Sequence, residues 1–162
     1  MENMIGIRRF RLEDLDRVEE IEKQSFKKIY PRFLLIHLYT NFPDGFIVAE
    51  IDGHIVGYII GTIEWGNGHI ISIAVDRKFR NRGIGSILIE YLEKYFFERC
   101  NVKYIVLEVR VSNKKARMFY YKRGYVDKRF LPKYYDDGED AILMVKKRKD
   151  LKTNYPITIS MW

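Results

Sequence analysis

At 162 residues the chain has room for one domain with a full core, and a single cysteine, Cys100, excludes any disulfide within it. Hydrophobic residues at 47% and charged residues at 31% are the proportions of a water-soluble globular protein, and no apolar run approaches the roughly 18–20 residues of a membrane span. Twenty-nine Lys and Arg against 22 Asp and Glu leave a net charge of +7, which fits a polyanionic partner and fits equally a merely lysine-rich surface. The chain opens without a signal-peptide pattern, so a reducing, cytoplasmic setting is expected.

Ile5–Phe10 reads as a short strand. Leu12–Ser25 follows as a helix, with Leu15, Val18, Ile21 and Glu22 spaced along one face. Phe26–Tyr30 breaks that pattern, and Pro31 suits the first turn of a second helix through Tyr39. After the turn cluster Asn41–Gly45, Phe46–Ile51 is a strand, and Asp52-Gly53 is a hairpin signal because a type I′ turn needs positive φ. His54–Trp65 is the returning strand, and Gly66-Asn67-Gly68 turns into the next.

That next strand is Ile70, Ile71, Ile73, Ala74 and Val75, and the basic, glycine-bearing run Arg80-Asn81-Arg82-Gly83-Ile84-Gly85 comes after it. From Ile84 the apolar residues Ile87, Leu88, Tyr91, Leu92 and Tyr95 recur at helical spacing to about Glu98. A strand, a glycine turn and a helix start make a phosphate cradle, because the first helical N–H groups have no partner inside the helix. The bland alternative is a helix that merely begins after a glycine turn. Neither the dinucleotide fingerprint nor a P-loop is present.

Further on, Tyr104–Arg110 is an apolar strand, Ser112 and Asn113 are N-cap types ahead of a helix over Lys114–Lys122, and Gly124 suits its C-terminus. Tyr125–Phe130 and Ala141–Lys147 are the last strands. The expected fold is mixed α/β: a mostly antiparallel sheet of six to seven strands with four helices on its two faces, formed by residues 1–147. Residues 148–162 read as a basic tail with no evident place.

Arg80-x-x-Gly83-x-Gly85 after a strand ending Ile-Ala-Val resembles the pyrophosphate loop of the GNAT superfamily of acetyl-CoA-dependent N-acetyltransferases. The resemblance runs from about Ile5 to Lys147. It is sharpest at Leu107-Glu108-Val109-Arg110, Ser112-Asn113, Phe119-Tyr120, Gly124-Tyr125 and Lys133-Tyr134-Tyr135-x-x-Gly138-Glu139-Asp140-Ala141. These resemble the RimI-type branch, which acetylates protein N-termini, and Ile63-Glu64-Trp65-Gly66 with Gly68-His69 resembles its archaeal members in particular. What the resemblance implies is an N-α-acetyltransferase acting by direct amine attack on acetyl-CoA. Coenzyme A would be held by Ile73, Ala74 and Val75, by the loop Arg80, Asn81, Arg82, Gly83, Ile84, Gly85 and Ser86, and by Asn113 and Tyr120.

The residues themselves bear on the chemistry. Glu108 is a carboxylate in an apolar strand, costly unless used or paired; alternation places Arg110 on the same face, so a plain ion pair is the competing reading. The resemblance makes Glu108 the base, through water, with His69 as a second candidate or a turn-flanking bystander. Tyr120 is the candidate acid toward the departing sulfur or, alternatively, a core tyrosine, and Asn113 serves as N-cap in either case. The resemblance makes Tyr30, Tyr134 and Tyr135 the grips on the substrate peptide; aromatic edge packing is the alternative. Three scattered histidines make no metal pattern, so no metal is expected.

The expected partners are protein N-terminal peptides, with the ribosome as a candidate and with neither DNA nor membrane. Lys27-Lys28-Ile29 departs from relatives that carry an acidic residue just before the Tyr-Pro, which should alter the first residues accepted. The rivals are a lysine or small-amine acetyltransferase of the same fold and a non-catalytic RNA-binding module.

Overall fold

The structure, a computed structural model, describes residues 4–151 and 157–159. Its elements are β1 (Ile5–Arg9), α1 (Leu15–Ser25), α2 (Arg32–Asn41), β2 (Phe46–Ile51), β3 (His54–Glu64), β4 (Asn67–Val75), α3 (Ile84–Lys94), β5 (Tyr104–Arg110), α4 (Lys114–Lys122), β6 (Val126–Leu131) and β7 (Ala141–Lys147). The seven strands form one sheet in the order β1-β2-β3-β4-β5-β7-β6. The β1–β2, β2–β3, β5–β7 and β6–β7 pairs are antiparallel and the β4–β5 pair is parallel. The expected mixed, mostly antiparallel sheet with four helices is what forms.

The chain divides into two compact units, Met1–Thr62 with Ile70–Tyr95, and Ile63–His69 with Phe96–Trp162. In the first, the β2–β3 hairpin closes at Asp52 (φ 51°) and Gly53 (φ 79°), the left-handed pair a type I′ turn requires, and Ile51 pairs with His54. The core there gathers the apolar face of α1 (Leu15, Val18, Ile21), Leu35 of α2, and Phe46, Val48, Ile55, Tyr58 and Ile60 from the strands. Phe10 stacks on Phe46 with ring centroids 3.9 Å apart. Gly57 brings β3 close to α3: a Cβ there would lie 3.2 Å from Leu88 Cδ1 and 3.4 Å from Ile84 Cγ2. The helical periodicity of α3 ends at Lys94, and Tyr95–Arg99 continues as one π-helical turn.

In the second unit, β5 pairs with β7 along its whole length, from Tyr104 opposite Lys147 to Arg110 opposite Ala141. Tyr104, Val106, Leu143 and Val145 form its buried cluster. Two features differ from expectation. The second hairpin turns at Trp65 (φ 54°) and Gly66 (φ 78°), so Asn67 and Gly68 are already buried strand residues. Gly68 is needed there for space, because a Cβ would stand 2.6 Å from the Phe96 ring. The tail is also partly placed: Ile157 and Ile159 pack on the Tyr104–Val145 cluster, and Asn67 Nδ2 donates to the Thr158 carbonyl at 2.6 Å. Residues 152–156 and 160–162 of that tail lie outside the described residues.

Candidate active site

In the second unit the parallel ladder sets Gly68 beside Ile105 and His69 beside Val106. Glu108, two residues beyond Val106, projects from the same face of β5. Its Oε2 lies 2.7 Å from His69 Nε2, and Glu64 Oε2 lies 2.7 Å from His69 Nδ1. The competing reading, a Glu108–Arg110 ion pair, is not what the structure shows. The Arg110 guanidinium instead donates to Asp137 at 2.9 Å and Glu139 at 2.9 Å, both in the β6–β7 loop.

A neutral imidazole has one N–H, so it can donate to only one of these two carboxylates; the imidazolium donates to both. Burial pulls the His69 pKa down, but Glu108 foremost and Glu64 after it outweigh burial, and the net shift is upward from 6.5. The linked contribution to folding is therefore full below about pH 6.5 and is lost as pH rises through the higher folded value. For proton abstraction the deprotonated ring is the competent form. Replacing the half-exposed Glu64 by Gln removes one of the two stabilising charges. The acid limb of kcat/KM for an amine substrate is therefore expected to move to lower pH in Glu64→Gln; a limb in the same place would show that His69 does not govern it.

Tyr120 lies on α4, 8% exposed, with its ring edge-on to Phe119 (5.4 Å) and Tyr125 (5.7 Å). Burial raises its phenol pKa above 10, so the phenol remains a proton and hydrogen-bond donor at neutral pH. Asn113 caps α4, its side chain accepting from the Ala116 N–H at 3.1 Å. In the β6–β7 loop, Arg110 stacks over the Tyr135 ring at 4.0 Å and Tyr134 meets Tyr135 edge-on at 5.0 Å. Glu139 also accepts from the Ser112 N–H at 3.0 Å. Tyr135 is thus held within the loop, and Tyr134 is 44% exposed.

In the first unit, Ala74 is buried and Ile73 and Val75 are half-buried at the end of β4. Gly83 adopts φ 81° as the N-cap of α3, with nothing within 4 Å of where a Cβ would stand. The N–H groups of Ile84, Gly85 and Ser86 have no acceptor inside the helix. An exposed left-handed glycine ahead of those donors fits a diphosphate. Arg82, exposed, sits with its guanidinium 5.2 Å from the Phe79 ring centroid, and Asn81 is exposed at φ 63°. The Arg80 guanidinium donates to the Val75 carbonyl and to Ser25 Oγ, both at 3.0 Å, and so joins the end of α1 to the end of β4.

The Acetyltransferase (GNAT) family profile matches residues 15–125, more than half of the chain. This protein belongs to the GNAT acetyltransferase family. An uncharacterized N-acetyltransferase of Methanocaldococcus jannaschii is 55% identical over 156 residues, covering 96% of this chain and 99% of that one. An N-alpha-acetyltransferase of Sulfurisphaera tokodaii is 39% identical over 150 residues, covering 85% and 90%. Among solved structures, Naa20 of Chaetomium thermophilum in complex with a bisubstrate analogue superposes with a TM-score of 0.83 at 32% identity, covering 89% of this chain and 87% of that one.

Two residues of this acetyltransferase escape a reading of its sequence as a site. Glu64 sits at a turn and signals nothing until the hairpin folds it back onto His69. Glu22 carried a legible signal, a carboxylate on the apolar face of α1, and it is buried, with 1% exposure. Tyr30 packs against the first unit's core, and its backbone N–H donates to Glu22 Oε2 at 3.0 Å. Burial pushes the Glu22 carboxyl above the usual carboxylate range. Among the described residues no helix is long and apolar enough to cross a membrane.

Proposed function

We propose that this acetyltransferase moves the acetyl group of acetyl-CoA onto the α-amine of protein N-termini. The observation that carries the reading is the hydrogen-bonded run Glu64–His69–Glu108, an imidazole held at both nitrogens and ending on a strand carboxylate. An α-amine has a pKa near 8 and a lysine amine near 10.4, so a histidine–carboxylate pair of this kind suits the first far better.

Acetyl-CoA supplies the thioester. Gly83 and the free N–H groups that begin α3 hold its diphosphate, with Arg80 and Arg82 adding charge and Arg80 also bracing the strand end. Glu108, through water and with or without His69, takes the proton that the α-amine loses. As the new N–C bond forms and the C–S bond breaks, the Tyr120 phenol hydrogen-bonds the sulfur that departs with the electron pair. No covalent intermediate on the protein is needed. Tyr30, Tyr134 and Tyr135 are the candidate contacts for the first backbone groups of the peptide. The charge of +7 supports docking near a polyanion such as the ribosome, where new N-termini emerge.

Incubation with acetyl-CoA and peptides beginning Ser, Ala, Met-Leu and Met-Glu is expected to release thiol with at least one of them. A lysine peptide with a blocked N-terminus should release none. Acetylation of the blocked peptide alone would make the protein a lysine acetyltransferase. Silence with every peptide, together with salt-sensitive RNA binding, would make it a binding module.

A further inference from the structure

The loop of residues 26–31 is fastened at both ends to one residue. As α1 ends, the Phe26 N–H donates to the main-chain carbonyl of Glu22 at 3.0 Å. Four residues later the Tyr30 N–H donates to the side-chain Oε2 of the same glutamate, also at 3.0 Å. Between the two fastenings Lys27 and Lys28 stand exposed, and directly after the second Pro31 is the N-cap of α2, its carbonyl accepting from the Leu34 N–H at 2.9 Å.

Glu22 is an expensive residue to use in this way. It lies on the same buried face of α1 as Val18 and Ile21, where a leucine would fill the space at no polar cost. Its second oxygen, Oε1, is buried and has no hydrogen-bond donor among the described residues. Nearby, the Tyr58 hydroxyl is occupied with Ser72 Oγ at 3.0 Å. The polar work the carboxyl visibly does is to hold the Tyr30 amide.

We propose that Glu22 is a positioning residue for the peptide substrate: by fixing the Tyr30 backbone it sets where that tyrosine's side chain stands and so how tightly a peptide N-terminus is gripped. The proposal rests on the reading of Tyr30 as a peptide contact. Glu22 itself need not touch the substrate, and it takes no part in moving a proton.

Glu22→Leu keeps the packing and removes the acceptor, whereas Glu22→Gln keeps an acceptor oxygen in place. Loss of one buried hydrogen bond of this kind corresponds to about a tenfold effect. Glu22→Leu is therefore expected to raise the peptide KM about tenfold, with kcat and the acetyl-CoA KM close to wild type. Glu22→Gln should restore the peptide KM to within about twofold. Amide hydrogen exchange read by NMR without substrate gives an independent arm. In the wild type the Tyr30 amide should be protected relative to the Lys27 amide, unprotected in Glu22→Leu and protected again in Glu22→Gln. An unprotected Tyr30 amide in the wild type overturns the proposal even where Glu22→Leu does not fold. So does an unchanged peptide KM in a folded Glu22→Leu, or an acetyl-CoA KM that rises in parallel. If no peptide is acetylated, the functional reading fails, while the exchange pattern still judges the role of Glu22.

Discussion

Glu108→Gln is expected to lower kcat on an N-terminal peptide by about 100-fold while coenzyme A binds as before. The amide keeps the shape of the side chain and can still meet His69 Nε2, so the strand and its ladder to β7 should survive intact. What disappears is the charge that draws a proton from the amine and favours the imidazolium. Because no part of the α3 N-terminus is touched, the cofactor affinity is a control within the same protein. Tyr120→Phe should cost less, about tenfold. A thiol has a pKa near 8.5, so thiolate is a tolerable leaving group. The Tyr120 phenol, raised above 10, surrenders its proton reluctantly and contributes mainly a hydrogen bond. Stopped-flow or thiol-release kinetics separate the two; equal, near wild-type rates in both variants would remove Glu108 and Tyr120 from the mechanism.

The largest effect on stability is expected at Gly45→Ala. Gly45 ends the short turn before β2, and a Cβ there would lie 2.1 Å from the Gly61 carbonyl oxygen and 2.9 Å from its carbon. The obstacle is the backbone of β3, which cannot swing aside as a side chain can. The Phe42 ring, 2.5 Å away, blocks another direction. Overpacking of this severity costs about 3 kcal/mol, which for a domain of this size lowers Tm by roughly 6–12 °C. Gly68→Ala meets the Phe96 ring instead and should cost less, since a ring has some freedom to tilt. Calorimetry on both variants checks the order; a Gly45→Ala protein melting like the wild type would show that the two backbones part readily.

The order of strands and helices was legible because most elements carry their own periodicity or punctuation, such as the alternation of burial along β4, the Asp52-Gly53 turn and the N-cap Asn113. Trp65 was misread because a left-handed tryptophan is a poor advertisement for a turn; the following strand needs Asn67 and Gly68 inside, and that tertiary demand overrides local preference. The candidate site residues Glu108, His69 and Tyr120 were nameable from their match to a family pattern, but their partners were not. Strand alternation offered Arg110 as an alternative partner for Glu108. It is claimed instead by Asp137 and Glu139, 27 and 29 positions away on a loop whose course no local rule describes. The contact of Arg80 with Ser25, 55 positions earlier, is likewise invisible in the local pattern that makes Arg80 a candidate phosphate ligand. Long-range polar pairing is the information that one-dimensional patterns lack.

The docking of Ile157 and Ile159 has a practical corollary. An acetyltransferase trimmed after Lys147 would keep every described strand and helix yet strip hydrocarbon cover from Tyr104, Val106, Leu143 and Val145 and leave the Asn67 amide without its acceptor. Greasy surface newly bared along β5 and β7 is an invitation to self-association. The shortest well-behaved version of this enzyme is thus longer than its set of regular elements.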